Sequence, residues 1–316
     1  MRLLITGGAG FIGSHLCDFF VARGERVVCL DNFFTGSITN IRHLLDKRNF
    51  KIIKGDVRDR ELLDKQTRDV DAILHLAAQI HVDRSYIEPE LTWDVNVRGT
   101  QNVLESARVN DVPHVIFASS SEVYGSAISD EPISENHPLN APHPYGASKI
   151  AGDRMCYSYS KTFGMNVSIM RCFNIFGPRQ RDLGYGGVIA IFAKRIFEGK
   201  APVIYGDGSQ KRDYTYVSDI VQAYSKVLSG SYADPVNFGT GVSVTIENIA
   251  CGILKEFGSK CEPVHIAPRI AEVQNLIADA SRAKAVYGWE AQVGIDEGIS
   301  SFVEWYKQYG TMERLT

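Results

Sequence analysis

Along the first half of the chain, short apolar runs alternate with stretches whose apolar residues recur at helical spacing. Arg2 to Thr6 (RLLIT) is the first such run. It leads straight into Gly7-Gly8-Ala9-Gly10-Phe11-Ile12-Gly13, after which Ser14 to Arg23 carries Leu16, Phe19 and Phe20 on a helical period. Beyond Gly24, Arg26 to Leu30 reads as a second buried strand closed by Asp31. The pattern predicts further strands at Phe50 to Lys54, Val70 to Leu76, Val112 to Ala118 and Asn166 to Arg171. One long helix is expected from Leu91 to Val109, through Val95, Val97, Val103 and Leu104, and another opening at Tyr145. Strands alternating with helices predict an α/β fold, a doubly wound parallel sheet of the Rossmann type. From about Gly177 the loops lengthen and gain Gly and Arg, and the last amphipathic stretch is Gly294 to Tyr309. This predicts a dinucleotide-binding domain over 1–176, its sheet completed by segments near 210–240, and a smaller α/β substrate lobe over 177–316.

Bulk properties narrow the classes. A chain of 316 residues, 44% of them hydrophobic, can bury a large core and suits one main domain plus a lobe. A net charge of -3 offers no basic field for nucleic acid. No apolar run approaches the roughly 18–20 residues of a membrane span, and the chain starts in a strand rather than a signal peptide. Its six cysteines (17, 29, 156, 172, 251 and 261) show no CxxC spacing and suit buried thiols better than disulfides or zinc. A cytoplasmic protein without a metal site is expected.

Strand, glycine turn, helix, strand and acid in that order form the dinucleotide-binding unit. Gly7 allows the tight turn, Gly10 lets the backbone approach a pyrophosphate, and Gly13 lets helix and sheet pack closely. The helix N-terminus offers unpaired N–H groups to the phosphates. Asp31 is placed to accept from ribose hydroxyls and would repel a 2′-phosphate, so NAD is favoured over NADP. Asn32 to Ser37, with Thr35 and Gly36, is a polar loop beside that ribose. Asp56 is a candidate for the adenine amino group, since Asp59 is better placed to cap the next helix. Small Ala77 and Ala78 follow a strand's carboxyl end, where open α/β sheets bind ligands. Tyr145 and Lys149, four apart at a helix start, share one face. A nearby ammonium is expected to lower the phenol's pKa toward that of a general base, with Ser120 sharing the same substrate oxygen.

The chain resembles the extended short-chain dehydrogenase/reductase family, specifically its NAD-dependent nucleotide-sugar epimerases and dehydratases. The resemblance runs nearly end to end through TGGAGFIG (6–13), GDVRD (55–59), HLAAQ (75–79), NVRGT (96–100), SSSEVYG (119–125), YGASK (145–149), RCFNIFGPRQ (171–180), YGDGSQKRDYTYVSD (205–219) and NFGTG (237–241). It implies that Ser120, Tyr145 and Lys149 are catalytic and that NAD stays bound through the cycle. It further implies NAD contacts from Phe11, Ile12, Val57, Leu76, Gln79, Asn96, Ser119 and Cys172. Ser85, Asn174, Val188, Tyr205, Arg212 and Arg269 would hold a UDP- or dTDP-hexose, the two arginines suiting a pyrophosphate. Arg179 and Arg181 read instead as solvated. Helices 91–109 and 148–163 are the resemblance's candidates for a homodimer interface.

Such enzymes first oxidise the sugar at C4 and then part ways. Glu122 is the informative residue. Dehydratases of this kind carry Thr-Asp-Glu, and decarboxylases Thr-Ser-Glu, where this chain has Ser120-Ser121-Glu122. AAQIHVDRS (77–85) also resembles dehydratases, whereas Ser121 in place of an acid and PRIAEV (268–273) lean toward epimerases. Glu122 could also serve only to hold its loop. The expected activity is an NDP-hexose 4,6-dehydratase, with a UDP-hexose 4-epimerase next and a UDP-glucuronate decarboxylase third. A non-catalytic nucleotide sensor would not need Ser120, Tyr145 and Lys149 together.

Overall fold

The structure is a computed structural model and describes residues 1–129, 131–182, 187–268 and 273–310. Seven parallel strands form its central sheet: β1 (Arg2–Thr6), β2 (Arg26–Asp31), β3 (Phe50–Lys54), β4 (Ala72–His75), β5 (His114–Ser120), β6 (Val167–Cys172) and β7 (Val236–Phe238). Their order is β7-β6-β5-β4-β1-β2-β3. Sequence neighbours diverge from β1, with β2 on one side and β4 on the other. That reversal opens a crevice at the carboxyl end of β1, where doubly wound sheets take their ligands.

Both faces of the sheet are covered, which explains strands that are almost continuously apolar. Leu3 and Ile5 point into a core with Leu16, Phe20, Tyr224 and Trp289. Leu4 between them faces the opposite core, with Ile73, Leu104, Val115 and Val167. The helices involved are α1 (Phe11–Ala22), α2 (Arg60–Gln66), α3 (Val82–Ile87), α4 (Pro89–Trp93), α5 (Gly99–Val109) and α6 (Pro144–Phe163). After β6 the chain builds α7 (Val188–Phe197) and α8 (Val217–Leu228), returns to the sheet as β7, and ends with α9 (Ile246–Phe257), α10 (Ser281–Tyr287) and α11 (Ile295–Tyr309). Helices α7, α9 and α11 share a separate core of Ile189, Phe192, Ile253, Phe302 and Tyr306.

The helix expected over 91–109 is corrected. It begins earlier, at Pro89, whose missing N–H costs nothing in a first turn. A π-helical turn, Asp94–Arg98, then divides it before α5. The fifth strand runs two residues further than its apolar run, so Ser119 and Ser120 belong to the sheet. All six cysteines are free thiols, with Cys17, Cys29 and Cys156 buried and Cys251 exposed. Among the described residues no helix is long and apolar enough to cross a membrane, and no group of three His, Cys, Asp or Glu could hold a metal ion.

Candidate active site

A cleft of about 660 Å³ opens along the carboxyl ends of β1, β2, β4, β5 and β6 and runs under α7. Its floor is the glycine turn. Gly7 has a φ of 71°, which glycine adopts freely, and a Cβ there would lie 2.9 Å from the Ala77 nitrogen. A Cβ on Gly13 would lie 2.1 Å from the Gly7 carbonyl oxygen. Helix α1 starts from Gly10 without a side-chain cap, so its first N–H groups face the cleft. Phe11 and Ile12 line the same wall.

Asp31 ends β2 and accepts the N–H groups of Ala9 at 2.9 Å and Phe33 at 2.8 Å. Burial nonetheless raises its pKa. The carboxylate therefore pins the glycine turn to the following loop while lining the cleft. Asn32 donates to Asp56 at 2.8 Å. The hydrogen bond from Arg58 is the main cause holding Asp56 at a pKa of about 2. Asp59, as expected, caps α2 by accepting from Leu62 N–H at 3.0 Å. Thr35, Val57, Leu76, Ala77, Ala78 and Gln79 complete this half of the lining.

Two residues expected at the cofactor, Gly36 and Asn96, are not among those that line the cleft. A Cβ on Gly36 would lie 2.8 Å from both Asp31 carboxylate oxygens, so this glycine is packed against the acid. Asn96 sits in the π-helical turn and is buried. Its amide accepts from Gln79 N–H at 2.7 Å and donates to Gln79 C=O at 2.9 Å. It thereby fixes the Gln79 backbone, which lines the cleft. The loops flanking β1 touch across the cleft mouth, where the Arg84 guanidinium lies 4.3 Å from the Phe34 ring centroid.

The residues expected to react converge from β5 and α6. Ser120 hydrogen-bonds Tyr145, whose ring is buried at the second position of α6. Lys149, one turn on, donates to the Ala118 carbonyl at 2.9 Å. The expectation that this lysine lowers the phenol's pKa is corrected. Burial dominates and pushes the Tyr145 hydroxyl well above its ordinary value, with only the Ser120 hydrogen bond opposing it. Burial also brings Lys149 down to about 8. Ser119 is tied to Asp153 at 3.1 Å, and Cys172 is pushed by burial to about 12, a neutral thiol. Ser121 and Glu122 line the cleft beside Tyr145. Glu122 pairs with the ring of His143 at 3.0 Å, a contact that the sequence did not signal.

Under α7 the cleft is lined by Asn174, Val188, Tyr205 and Arg212. Asn174 is held by the Asp213 carbonyl at 3.2 Å. Gln180 and Gln210 join them with buried Oε1 atoms that have no protein partner, acceptors suited to a donor-bearing ligand. No spacing rule marks these glutamines. Ser85 is not brought to the cleft, because it is fully buried and its hydroxyl turns back to Val82 C=O at 2.6 Å. Arg179 is not solvated as expected but pairs with Asp18 at 2.7 Å. Arg269, and most of the 268–273 segment, lie outside the described residues.

Glycines whose Cβ would collide, an uncapped helix start and an acid at the end of β2 fit a dinucleotide. The GDP-mannose 4,6 dehydratase family model matches residues 4–302. A putative UDP-glucose 4-epimerase of Methanocaldococcus jannaschii is 38% identical over 96% of this chain and 98% of its own. UDP-glucuronic acid decarboxylase 1 of Xenopus tropicalis is 33% identical over 97% of this chain and 72% of its own. The solved dTDP-glucose 4,6-dehydratase DesIV of Streptomyces venezuelae, with NAD bound, aligns at a TM-score of 0.94 and 32% identity over 100% of both chains. NAD is thus the cofactor. The chain belongs to the GDP-mannose 4,6 dehydratase family, among the NAD-dependent nucleotide-sugar epimerases and dehydratases of the extended short-chain dehydrogenase/reductase group.

Proposed function

We propose that this protein converts a UDP- or dTDP-hexose into its 4-keto-6-deoxy product, as a 4,6-dehydratase. The observation that carries the reading is the Glu122 carboxylate, which lines the cleft beside Tyr145. When bound, NAD supplies the hydride acceptor and a positive charge next to the phenol. Tyr145, hydrogen-bonded to Ser120, takes the C4 hydroxyl proton as hydride leaves C4. The ketone would acidify C5–H, and Glu122 would remove that proton while the C6 hydroxyl leaves as water with a proton taken from solvent in the cleft, balanced by release of the proton that Tyr145 took from the C4 hydroxyl. Glu122 would return its proton to C5, and the hydride that C6 gains is what NAD would supply when bound. Asn174, Val188, Tyr205 and Arg212 would hold the nucleotide diphosphate, with Asp31 accepting from the adenosine ribose and Asp56 from adenine.

UDP-glucose, UDP-N-acetylglucosamine, UDP-glucuronate and dTDP-glucose are to be incubated with the protein and the products read by NMR. Glu122→Gln is expected to spare C4 oxidation, seen as transient reduced-nicotinamide absorbance, and to slow elimination by about 10²–10⁴-fold. A product inverted only at C4 would overturn the reading in favour of the 4-epimerase. That alternative is favoured by Ser121, a hydroxyl too weakly acidic to assist the leaving group. Loss of the C5 carboxylate from UDP-glucuronate would mark a decarboxylase.

We also propose a homodimer through the α4–α6 region, where Trp93 and Phe163 are half exposed at 52% and 51%. Sedimentation at micromolar concentration is expected to give twice the chain mass. Sedimentation as a single chain would refute it.

A further inference from the structure

Helix α6 needs only a hydrogen-bond acceptor at its N-cap, and Ser, Asp or Asn would provide one. The cap is instead His143, whose Nδ1 accepts the Gly146 N–H at 2.9 Å. An Nδ1 that accepts carries no proton, so the ring's hydrogen is on Nε2. Nε2 lies 3.0 Å from Glu122 Oε2, so it is the donor in that contact. The ring is 6% exposed, lies outside the cleft lining, and stacks on Tyr145 at an interplanar angle of 17°. A Cβ on Gly146 would lie 2.8 Å from the Glu122 carbonyl oxygen and 3.0 Å from the His143 ring, so ring, helix start and Glu122 backbone are packed without slack. One imidazole therefore spans the start of the helix that carries Tyr145 and the carboxylate opposite it.

We propose that His143 is a positioning residue for the elimination step. It holds one oxygen of Glu122 from behind, so that the other is presented to the C5 proton in a fixed orientation. This rests on the dehydratase reading above. His143→Ser retains a cap for Gly146 N–H but removes the Nε2 donor, and His143→Asn does the same with a larger side chain.

Both variants are expected to unfold within a few degrees of the parent and to keep the transient C4 oxidation within about twofold. C5 proton exchange with deuterated solvent, and elimination, should fall by up to about 100-fold, the cost of a misplaced reacting group. Because His143 acts through Glu122, adding His143→Ser to Glu122→Gln should slow elimination no further than Glu122→Gln alone. Equal losses in oxidation and elimination, unchanged elimination, or additive losses in the double variant would each overturn the proposal. Should the parent enzyme show no C5 exchange with any sugar nucleotide, the dehydratase reading itself fails. Nitrogen NMR of the imidazole then judges the contact independently: an Nε2–H tautomer whose Nε2 resonance moves in Glu122→Gln supports it, and an unmoved resonance or an Nδ1–H tautomer in the parent refutes it.

Discussion

Lys149→Met is expected to yield a protein that is more stable than its parent and almost inactive. The ammonium is buried, and desolvation brings its pKa from 10.5 to about 8. A depression of that size means the folded state carries a charge penalty of about 3 kcal/mol at neutral pH. The bond from Lys149 to the Ala118 carbonyl is lost in the variant and offsets about 1–2 kcal/mol of the gain from removing that charge. Methionine fills nearly the same volume without a charge, so a net gain of about 1–2 kcal/mol is expected, or several degrees in Tm.

The sign of the pH dependence follows from which state binds more protons. Between pH 8 and 10.5 the unfolded lysine is protonated and the folded one is not, so the parent's stability rises with pH through this window. The advantage of the variant should be full below pH 8 and fade by 10.5. Activity, by contrast, should drop by about 10²-fold, because the ammonium lines the cleft one turn from Tyr145 and its loss removes a donor that would orient the dinucleotide beside the phenol. Thermal unfolding across this pH range, alongside turnover at neutral pH, tests both halves. A destabilised variant at neutral pH would mean that the lysine is a structural asset rather than a catalytic burden.

What could be read from the chain was what short spacing fixes. The glycine turn and its acid span twenty-five residues with no loop of uncertain path between them, and the Tyr145–Lys149 pair is set by one helical turn. Apolar runs located the first six strands of the central sheet, because a sheet covered on both faces leaves no polar alternation to confuse with a surface strand. What escaped depends on where side chains go once elements have packed. Lys149 shares a face with Tyr145, yet its ammonium turns to a carbonyl of β5, a partner thirty-one residues away. His143 meets Glu122 across a loop of twenty-one residues whose course no periodicity dictates. Asn96 was expected at the cofactor from its motif, and no periodicity signalled that a π-helical turn sets its amide against the Gln79 backbone. Ser85 is likewise satisfied by Val82 within its own helix, and Arg179, read as solvated, pairs with Asp18.

Gly13→Ala is expected to empty the dinucleotide site although alanine is the better helix former. In α1 the substitution alone would favour the helix by about 1 kcal/mol. The new Cβ, however, would lie 2.1 Å from the Gly7 carbonyl oxygen and 2.8 Å from Gly8 Cα. Both are backbone atoms, so no rotamer change relieves the overlap and the turn must open. Opening it breaks the Gly10 N–H to Gly7 C=O bond of 3.1 Å and moves the uncapped N–H groups that face the cleft. An overpacking cost of about 1–3 kcal/mol outweighs the helix gain. Because tenfold in affinity takes only about 1.4 kcal/mol, the bound nicotinamide per purified chain should fall to roughly a tenth or less. Gly24→Ala is the control: it has no atom within 4 Å of its Cβ but a φ of 83°. It should cost about 1 kcal/mol through backbone strain and leave the cofactor in place. If both variants lost stability equally and kept their nicotinamide, the turn would be a scaffold for the strand and not a seat for phosphate.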